Sequence, residues 1–167
     1  MKPFIHCPAC AHRLERPADD GGARCPNCGR TWYRNPSPTA AGVVVKDGKA
    51  LIAVRGREPH KGKVDAPGGF IENGEDLLAG LTRELREELG IEVEVSPADF
   101  LQSAPHQYGD EGDWLLSMGF RARWVSGELA PADDVAEVRW VSKEELDGLD
   151  FAWPHDRELV RKALEDV

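Results

Sequence analysis

The chain has 167 residues, 41% hydrophobic and 31% charged, which predicts one medium-sized domain with a buried core and a small additional module. The net charge of −9 disfavours nucleic acid as a partner, and no apolar run approaches the roughly 18 residues that a membrane-spanning helix needs. Because the first residues also lack a secretory signal, we expect a cytoplasmic protein without a membrane partner.

Two Cys-x-x-Cys pairs stand near the start of the chain, at Cys7, Cys10, Cys25 and Cys28. Four thiolates at this spacing are typical of a closed, tetrahedral structural Zn²⁺ site, and so small a segment needs the metal for its stability. Two disulfides are the structural alternative, which a reducing cytosol disfavours. We interpret the neighbouring His6 and His12 as bystanders rather than ligands.

The charge is distributed unevenly, and this supports a division into two modules. Residues 1–35 carry six Lys/Arg and three Asp/Glu, whereas the remainder carries 15 and 27. Pro36 and Pro38 then impose an extended connection. We therefore predict a zinc ribbon at residues 1–35 and a second domain at residues 36–167, with Trp32 and Tyr33 packing the ribbon onto that domain. The ribbon is also a candidate homodimer contact.

The second domain begins with a predicted hairpin. Residues 40–45 and 50–54 are expected to form its strands around a turn at Asp47-Gly48. The loop at 55–64 is basic, and one interpretation is that it is only a solvated connection. Its position just before Pro67-Gly68-Gly69 makes three of its side chains candidates for binding substrate phosphates: Arg57, Lys61 and Lys63.

Residues 69–91 predict a loop followed by an amphipathic helix. Positions three and four apart are helical neighbours, so Glu84, Glu87 and Glu88 share one face, beside an apolar stripe that includes Leu81 and Leu85. A solvated acidic surface is one interpretation of three like charges. Divalent cations among the carboxylates are the other, since Mg²⁺ prefers oxygen ligands and often shares them with phosphates.

Further elements follow the helix. We predict strands at residues 91–95, 100–108, 114–125 and 136–141, an acidic turn at 109–113, and a helix at about 155–165. Strands on both sides of the acidic helix, together with a second helix, predict an α/β fold, an α/β/α sandwich on a mixed sheet. A carboxylate cluster beside a glycine turn and a basic loop suits metal-assisted attack of water on a phosphoanhydride.

The segment at 69–91 resembles the Nudix hydrolase signature at every specified position. These positions are Gly69, five residues, Glu75, seven residues, Arg83-Glu84, apolar Leu85, any residue, Glu87-Glu88, any residue, Gly90 and apolar Ile91. The resemblance implies the Nudix fold and hydrolysis of a nucleoside diphosphate linked to a second group, with Mg²⁺ or Mn²⁺. It implies that Glu84, Glu87 and Glu88 are metal ligands, with main-chain ligation at Gly68 and Gly69.

The same resemblance gives roles to the remaining charged residues. Glu75 is similar to the assisting acid of Nudix enzymes. Arg83 is similar to the residue that orients their carboxylate cluster through salt bridges. The catalytic base varies in this family. Glu84 is one candidate, and the acids outside the signature are others, with a surface acid as the alternative for each. Asp134 is preferred among these outer candidates, which also include Asp133, Glu137 and Glu111.

A zinc ribbon, Asn35-Pro36 and then a strand is the layout of a Nudix subgroup that includes the NADH pyrophosphatases. Residues 102–108 do not reproduce that group's downstream Ser-Gln-Pro-Trp-Pro-Phe-Pro-x-Ser array, so we expect an ADP-ribose-like or dinucleotide substrate without predicting NAD(H) specificity. Tyr108, Trp114 and Trp153 are candidates for base stacking, with packing as the alternative. The alternative to a hydrolase is a non-catalytic nucleotide sensor, or a regulator that binds nucleic acid or protein.

Overall fold

The structure is a computed structural model that describes residues 4–15, 22–109 and 112–165. Residue contacts divide the chain into two compact units. The first contains Met1–Pro36 and Gln107–Trp114, and the second contains Ser37–His106 and Leu115–Val167. None of the helices described has the length and apolar character needed to cross a membrane.

The first unit is organised around an antiparallel hairpin of β1 (Gly22–Arg24) and β2 (Thr31–Tyr33). Its buried core consists of Cys7, Leu14, Ala23 and Cys25, with Phe4 and Trp32 packed against it. Trp32 therefore packs within its own unit, and Tyr33 is exposed. The Trp32 ring thus covers part of the small core that contains two of the cysteines.

An eight-stranded mixed sheet forms the centre of the second unit. Its strands are β3 (Ser37–Lys46), β4 (Lys49–Arg55), β5 (Val64–Asp65), β6 (Gly68–Phe70), β7 (Ile91–Glu94), β8 (Phe100–Tyr108), β9 (Asp113–Gly127) and β10 (Val135–Val141). The main order is β10-β4-β3-β9-β7, while β5 pairs with β4, β6 with β3 and β8 with β9. The β3–β9 pair is parallel, and β3–β4, β3–β6 and β4–β10 are antiparallel.

Two helices cover opposite faces of this sheet. Consecutive residues of β3 point to different cores: Val43 joins the cluster of α2 (Pro154–Glu165), and Val44 joins the cluster of α1 (Leu77–Leu89). Gly119 of β9 allows α2 to approach closely, since a Cβ there would lie 2.4 Å from Leu159 Cδ1. The predicted α/β/α sandwich on a mixed sheet is confirmed.

The long predicted elements are confirmed by the structure. Asp47 and Gly48 form the expected hairpin turn, with φ of 52° and 72°. The short strands β5 and β6 and the 3₁₀ helices Pro97–Asp99 and Lys143–Gly148 were not predicted. Strands of two or three residues contain too few positions to show an alternating pattern.

The segment leading into α2 is tied to β5. The Val64 N–H donates to the Asp150 carbonyl at 3.0 Å, and the Ala152 N–H donates to the Val64 carbonyl at 2.8 Å. Further along, the Ala66 N–H donates to the Asp156 side chain, which is 4% exposed. The residues that precede Gly68 are therefore held in place by the start of α2.

Candidate active site and cysteine cluster

Helix α1 places four charged residues in fixed positions. Asp76 caps its first turn, accepting hydrogen bonds from the N–H groups of Leu78 at 3.0 Å and Ala79 at 3.3 Å. Gly90 ends it in the left-handed region, at φ 72°, and its N–H donates to the Arg86 carbonyl. Between these caps, the buried Leu81, Leu85 and Leu89 fix which face carries Arg83 and the glutamates.

Arg83 joins two of the three glutamates to the preceding loop. Its Nε and Nη2 donate to Glu75 at 2.9 Å each, and its Nη1 donates to Glu84 at 2.9 Å and Glu87 at 3.1 Å. Its Nη2 also donates to the Phe70 carbonyl at 3.0 Å. The Arg83 hydrogen bonds, with the Glu72 amide, lower the pKa of Glu75 to about 2. One guanidinium therefore orients three carboxylates and offsets part of their negative charge.

Glu88 is buried, with 6% of its surface exposed. Its Oε2 accepts the Gly68 N–H at 2.9 Å. Burial, followed by a hydrogen bond to Asp134 and the charge of Asp134, raises the pKa of Glu88 to about 9. In the absence of a cation, this carboxyl group therefore holds a proton at neutral pH.

Gly68 requires the absence of a side chain. Its φ is 144°, and an added Cβ would lie 2.1 Å from the Ala40 carbonyl oxygen on β3. The next residue, Gly69, lies against the carboxylate of Glu84, where a Cβ would be 2.5 Å from Cδ. The glycine pair therefore allows the β6 backbone to pass directly beside the glutamates of α1.

Asp134 approaches Glu88 from the loop before β10. The Asp134 carbonyl accepts the Gly56 N–H at 2.6 Å, and the Ala132 N–H donates to the Glu88 carbonyl at 2.9 Å. Arg57 Nε lies 3.1 Å from Asp134 Oδ2, and Arg57 Nη1 lies 3.7 Å from Asp133 Oδ1. The pKa of Glu84 is also raised. Burial is the largest cause, Arg83 opposes it, and the charges of Glu87 and Asp134 add to it.

The other outer acids and the basic loop are arranged differently. Glu137 is exposed and pairs with Arg139 at 2.8 Å, and Glu111 lies outside the described residues. Lys63 Nζ lies 3.2 Å from Asp150 Oδ1, and Lys61 is exposed. The structure thus brings Asp134 to Glu88, pairs Arg57 with Asp134, and directs Lys63 to Asp150.

Two acids that the sequence did not reveal lie near the same place. A small pocket lies here, and it is lined by Arg55, Asp65, Ala66, Pro67, Gly68, Glu88, Asp134 and Val135. Arg55 and Asp65 form a buried ion pair at 2.7 Å. Burial raises the pKa of Asp65 to about 6, although Arg55 opposes the shift. Burial also raises the pKa of Asp156 well above its usual value. The one sequence signal that could have identified Asp65 as a site residue is its charge, since it stands among apolar residues just before Pro67.

Aromatic side chains continue from Arg55. Its guanidinium lies 4.9 Å from the centre of the Trp153 ring, and His60 contacts Trp153 edge-on at 5.3 Å. His106 lies 5.6 Å from Trp153 and 4.3 Å from His155. Burial, followed by the charge of His106, lowers the pKa of His155 to about 4. We call Trp153, His60, His106 and His155 the aromatic cluster. Tyr108 and Trp114 belong to the first compact unit.

The four cysteines form a separate group in the first unit. The Sγ atoms of Cys7 and Cys28 are 3.7 Å apart, and those of Cys10 and Cys25 are 3.6 Å apart. All four cysteines are free, and both distances exceed the roughly 2.05 Å of a disulfide bond. Four sulfurs around one Zn²⁺ would be separated by about 3.8 Å, given Zn–S bonds of about 2.3 Å and tetrahedral angles. The group therefore fits a zinc ribbon.

Local hydrogen bonds prepare one of these thiols for a metal. The Trp32 Nε1 donates to Cys7 Sγ at 3.3 Å. Burial opposes the thiolate, but this bond and those from the Ala9 and Cys10 amides outweigh it and lower the pKa of Cys7 to about 6. Across residues 4–15, 22–109 and 112–165, the cysteines are the only group of three or more His, Cys, Asp or Glu with ligand atoms all within 4.8 Å. His6 and His12 are not part of it.

The NUDIX domain family matches residues 36–163. The chain belongs to the NUDIX family. It is 30% identical over 172 residues to the NAD-capped RNA hydrolase NudC of Chromobacterium violaceum, a match that covers 100% of this chain and 62% of that protein. The chain therefore spans less than two thirds of this curated relative. The predicted likeness to the NADH pyrophosphatase subgroup, to which NudC belongs, is confirmed.

Two further comparisons concern one relative and one solved structure. The ADP-ribose pyrophosphatase of Methanocaldococcus jannaschii is 32% identical over 119 residues, which cover 71% of this chain and 69% of that protein. The crystal structure of a NUDIX hydrolase from Nitrosomonas europaea superposes with a TM-score of 0.78 at 24% identity, covering 98% of this chain and 92% of that one. The structural likeness confirms the Nudix fold.

The donor set of the Nudix site suits a hard divalent cation. Glu88 and Asp134 place two carboxyl groups together, and a proton on Glu88 and the Arg57 guanidinium beside Asp134 limit their repulsion. Glu84, one helical turn before Glu88, and Glu87, the residue directly before Glu88, add carboxylate oxygens that are bonded to Arg83 in this structure. All of these donors are oxygen atoms, which Mg²⁺ and Mn²⁺ prefer, whereas the cysteine group suits zinc.

Proposed function

We propose that this chain is a metal-dependent hydrolase that cleaves the pyrophosphate linkage of a nucleoside diphosphate joined to a second group. The observation that carries the proposal is the pairing of buried Glu88 with Asp134 beside the Gly68 amide. Burying a carboxyl group beside another acid is unfavourable unless it is neutralised, and sites of this kind are common where charge is put to chemical use.

Glu84, Glu87 and Glu88 would hold Mg²⁺ or Mn²⁺, with main-chain carbonyl groups of Gly68 and Gly69. The bound cation would supply neutralisation of the phosphate charge and a lowered pKa for the attacking water. Arg83 and Glu75 keep the Glu84 and Glu87 carboxylates in place, as in other sites where outer residues orient metal ligands. This role does not require Arg83 to contact the substrate.

Proton transfer from water is assigned to Asp134, with Glu84 as the second candidate for the catalytic base. Asp134 lies at the pocket, and the loop that carries it is fixed by the Gly56 amide at 2.6 Å. A base must be held within hydrogen-bond reach of the water, which a fixed loop favours. Arg57, Lys61 and Lys63 would bind the phosphate oxygens, with Arg57 and Lys63 exchanging their present carboxylate partners for phosphate.

The aromatic cluster is the proposed binding site for a planar part of the substrate. Arg55 both lines the pocket and contacts Trp153, so the cluster continues directly from the carboxylates. Indole and imidazole rings stack on nucleobases without a strict sequence preference. The names of two relatives, an ADP-ribose pyrophosphatase and an NAD-capped RNA hydrolase, support a substrate with an adenosine diphosphate part. An ADP-ribose-like or dinucleotide substrate is therefore proposed.

We also propose that residues 1–35 form a zinc ribbon and that residues 36–167 form the hydrolase domain. The ribbon would hold one structural Zn²⁺ and offer a homodimer contact. A cytoplasmic location is proposed because a thiolate zinc site persists in a reducing compartment.

The test is hydrolysis of ADP-ribose, NADH, diadenosine polyphosphates and NAD-capped RNA with Mg²⁺ or Mn²⁺, scored by product release. We expect at least one pyrophosphate to be cleaved, and Glu87→Gln and Glu88→Gln each to lower turnover by about 100-fold or more. Unchanged turnover in both variants would contradict the proposed metal site. Tight binding of ADP-ribose without hydrolysis of any compound would favour the non-catalytic nucleotide sensor.

A further inference from the structure

Asp134 lies between two partners of opposite character. On its inner side it hydrogen-bonds the buried carboxyl group of Glu88. On its outer side Arg57 Nε lies 3.1 Å from Oδ2. The Asp134 side chain is 15% exposed, whereas that of Arg57 is 60% exposed. One partner is therefore fixed in the protein, and the other is free to move into solvent.

We propose that Arg57 is an intramolecular competitor of divalent cations at Asp134. The inference rests on the proposed function, because it takes the Glu88–Asp134 pair to contribute to cation binding. Arg57 already neutralises Asp134 in the free protein. A cation that approaches this pair must therefore displace a guanidinium, and its affinity is lower than the carboxyl groups alone would give.

The backbone around Asp134 allows this exchange without a large rearrangement. The Gly56 N–H holds the Asp134 carbonyl, and the Ala132 N–H holds the Glu88 carbonyl. Val135, the next residue, pairs with Arg55 in the sheet. Departure of the Arg57 side chain breaks none of these bonds, so only side chains need to move. The second contact of Arg57, to the exposed Asp133 at 3.7 Å, is longer than a normal hydrogen bond.

The exchange has a consequence for the order of binding. Phosphate oxygens bind guanidinium groups as well as carboxylates do, so a diphosphate draws Arg57 away from Asp134. The negative charge of Asp134 then attracts the nearby cation without competition from Arg57. Substrate and cation raise one another's affinity by the same factor, as thermodynamic linkage requires. Arg57 would thus limit cation binding until a phosphate is present.

The experiment is a titration of the zinc-loaded 167-residue chain with Mn²⁺ in the absence of nucleotide. Binding is measured by electron paramagnetic resonance of free Mn²⁺ and by calorimetry. Arg57→Ala is expected to bind Mn²⁺ about two- to fivefold more tightly than wild type, the range expected for loss of an exposed ion pair. Arg139→Ala is the matched control, since it removes an equal charge from an exposed pair with Glu137. Its affinity should match wild type.

A double-mutant cycle assigns the effect to Asp134. In the Asp134→Asn background, Arg57→Ala should no longer change Mn²⁺ affinity. The inference is overturned if Arg57→Ala binds no more tightly than Arg139→Ala, or if its effect persists without Asp134. Either result would concern Arg57 alone. The proposed function would still be supported if the wild type hydrolyses a pyrophosphate substrate. Absence of Mn²⁺ binding to the wild type would overturn the inference and the proposed metal site together.

Discussion

The three glutamates of α1 share one helix face but occupy three different environments. Glu84 is largely buried beside Gly69 and Arg83, Glu87 is mostly exposed, and Glu88 is buried against Gly68 and Asp134. Their position on one face follows from the helical repeat. Their environments follow from neighbours far away in the sequence, above all from the β6 backbone and the loop before β10.

Replacing Glu88 with Gln tests its raised pKa. In the folded, cation-free protein the carboxyl group ionises at about pH 9, and in the unfolded chain at about 4.3. Between these values the unfolded state binds fewer protons, so the free energy of unfolding falls as pH rises, by at most about 1.4 kcal/mol per pH unit from this group. Glu88→Gln removes this loss and should become steadily more stable than wild type from about pH 5 to about pH 8.

Urea denaturation without added divalent cation measures the difference between the two proteins at each pH. Glu92→Gln is a suitable control, because hydrogen bonds from Arg86 lower the pKa of Glu92 instead of raising it. This control should show no such gain. A constant difference between Glu88→Gln and wild type across the range would mean that Glu88 is ionised in the folded protein.

Replacing Arg83 with Ala tests whether it orients the carboxylates. The variant loses the bonds that hold Glu75, Glu84 and Glu87, so we expect turnover to fall by about 10- to 100-fold, as for other residues that position metal ligands. Arg86→Ala removes a neighbouring arginine of α1 whose partner is Glu92, at 2.8 Å, and turnover should stay within about twofold. Equal losses in steady-state assays of both variants would contradict the orienting role.

Local sequence predicted only part of this site. Fixed spacing within one helix brought Arg83 and the glutamates together, because the turn geometry is the same in any α-helix. Asp65, Asp156, His106 and His155 could not be predicted in this way. They meet through the sheet and through α2, and a lone buried acid or histidine has no periodic pattern. Glu137 carried the same acidic pattern as Asp134, but its side chain pairs with Arg139 at the surface.

At the scale of elements, the short strand β6 determines where α1 and β3 meet. Its residues 68–70 pair with residues 39–41 of β3, and its amide at Gly68 reaches Glu88. Its length gave no strand signal in the sequence, whereas β3, β4 and β9 were predicted because long apolar or alternating runs are informative. Gly68 and Gly69 were expected to let the backbone approach another group closely. At Gly68 the backbone does so, because it passes directly beside the Ala40 carbonyl of β3.

Gly68→Ala should strongly destabilise the protein. The added Cβ would overlap the Ala40 carbonyl at 2.1 Å, and φ of 144° is unfavourable for alanine, so we expect a loss of about 2–4 kcal/mol in the free energy of unfolding. Gly74→Ala also has a positive φ, of 86°, but its Cβ meets no atom within 4 Å. Chemical denaturation should therefore show a cost of only about 1–2 kcal/mol for that control. Equal costs would show that crowding at Gly68 is relieved by movement of β3.

At the scale of the whole molecule, the chain contains two kinds of potential metal ligands in separate compact units. Soft thiolates occupy the first unit and hard carboxylates the second. Cysteine spacing and the acidic signature predicted this division, because both are local patterns. The packing of Trp32 against the core of the first unit was not predicted, since spacing alone does not show which core an aromatic ring will join.

Zinc removal should affect the two units unequally. Among the described residues of the first unit, four form the buried core and two of these are cysteines, so we expect its folding to depend on the metal. We expect about one Zn²⁺ per chain in protein purified without chelator. After chelation, hydrogen exchange should accelerate in residues 4–15 and 22–36 while the sheet core around Val43 and Ile52 keeps its protection. Protection lost equally in both units would contradict separate stabilisation, and less than one Zn²⁺ would contradict the ribbon.

The tie between β5 and the segment before α2 has a consequence for the order in which the protein matures during synthesis. Glu88 and Gly68 leave the ribosome well before Asp150, Ala152 and Asp156, which hold Val64 and Ala66 in place. A nascent chain therefore contains the complete signature helix while the strand that precedes Gly68 still lacks its support. The last helix described, although it carries none of the signature residues, would set the moment at which the pocket first exists.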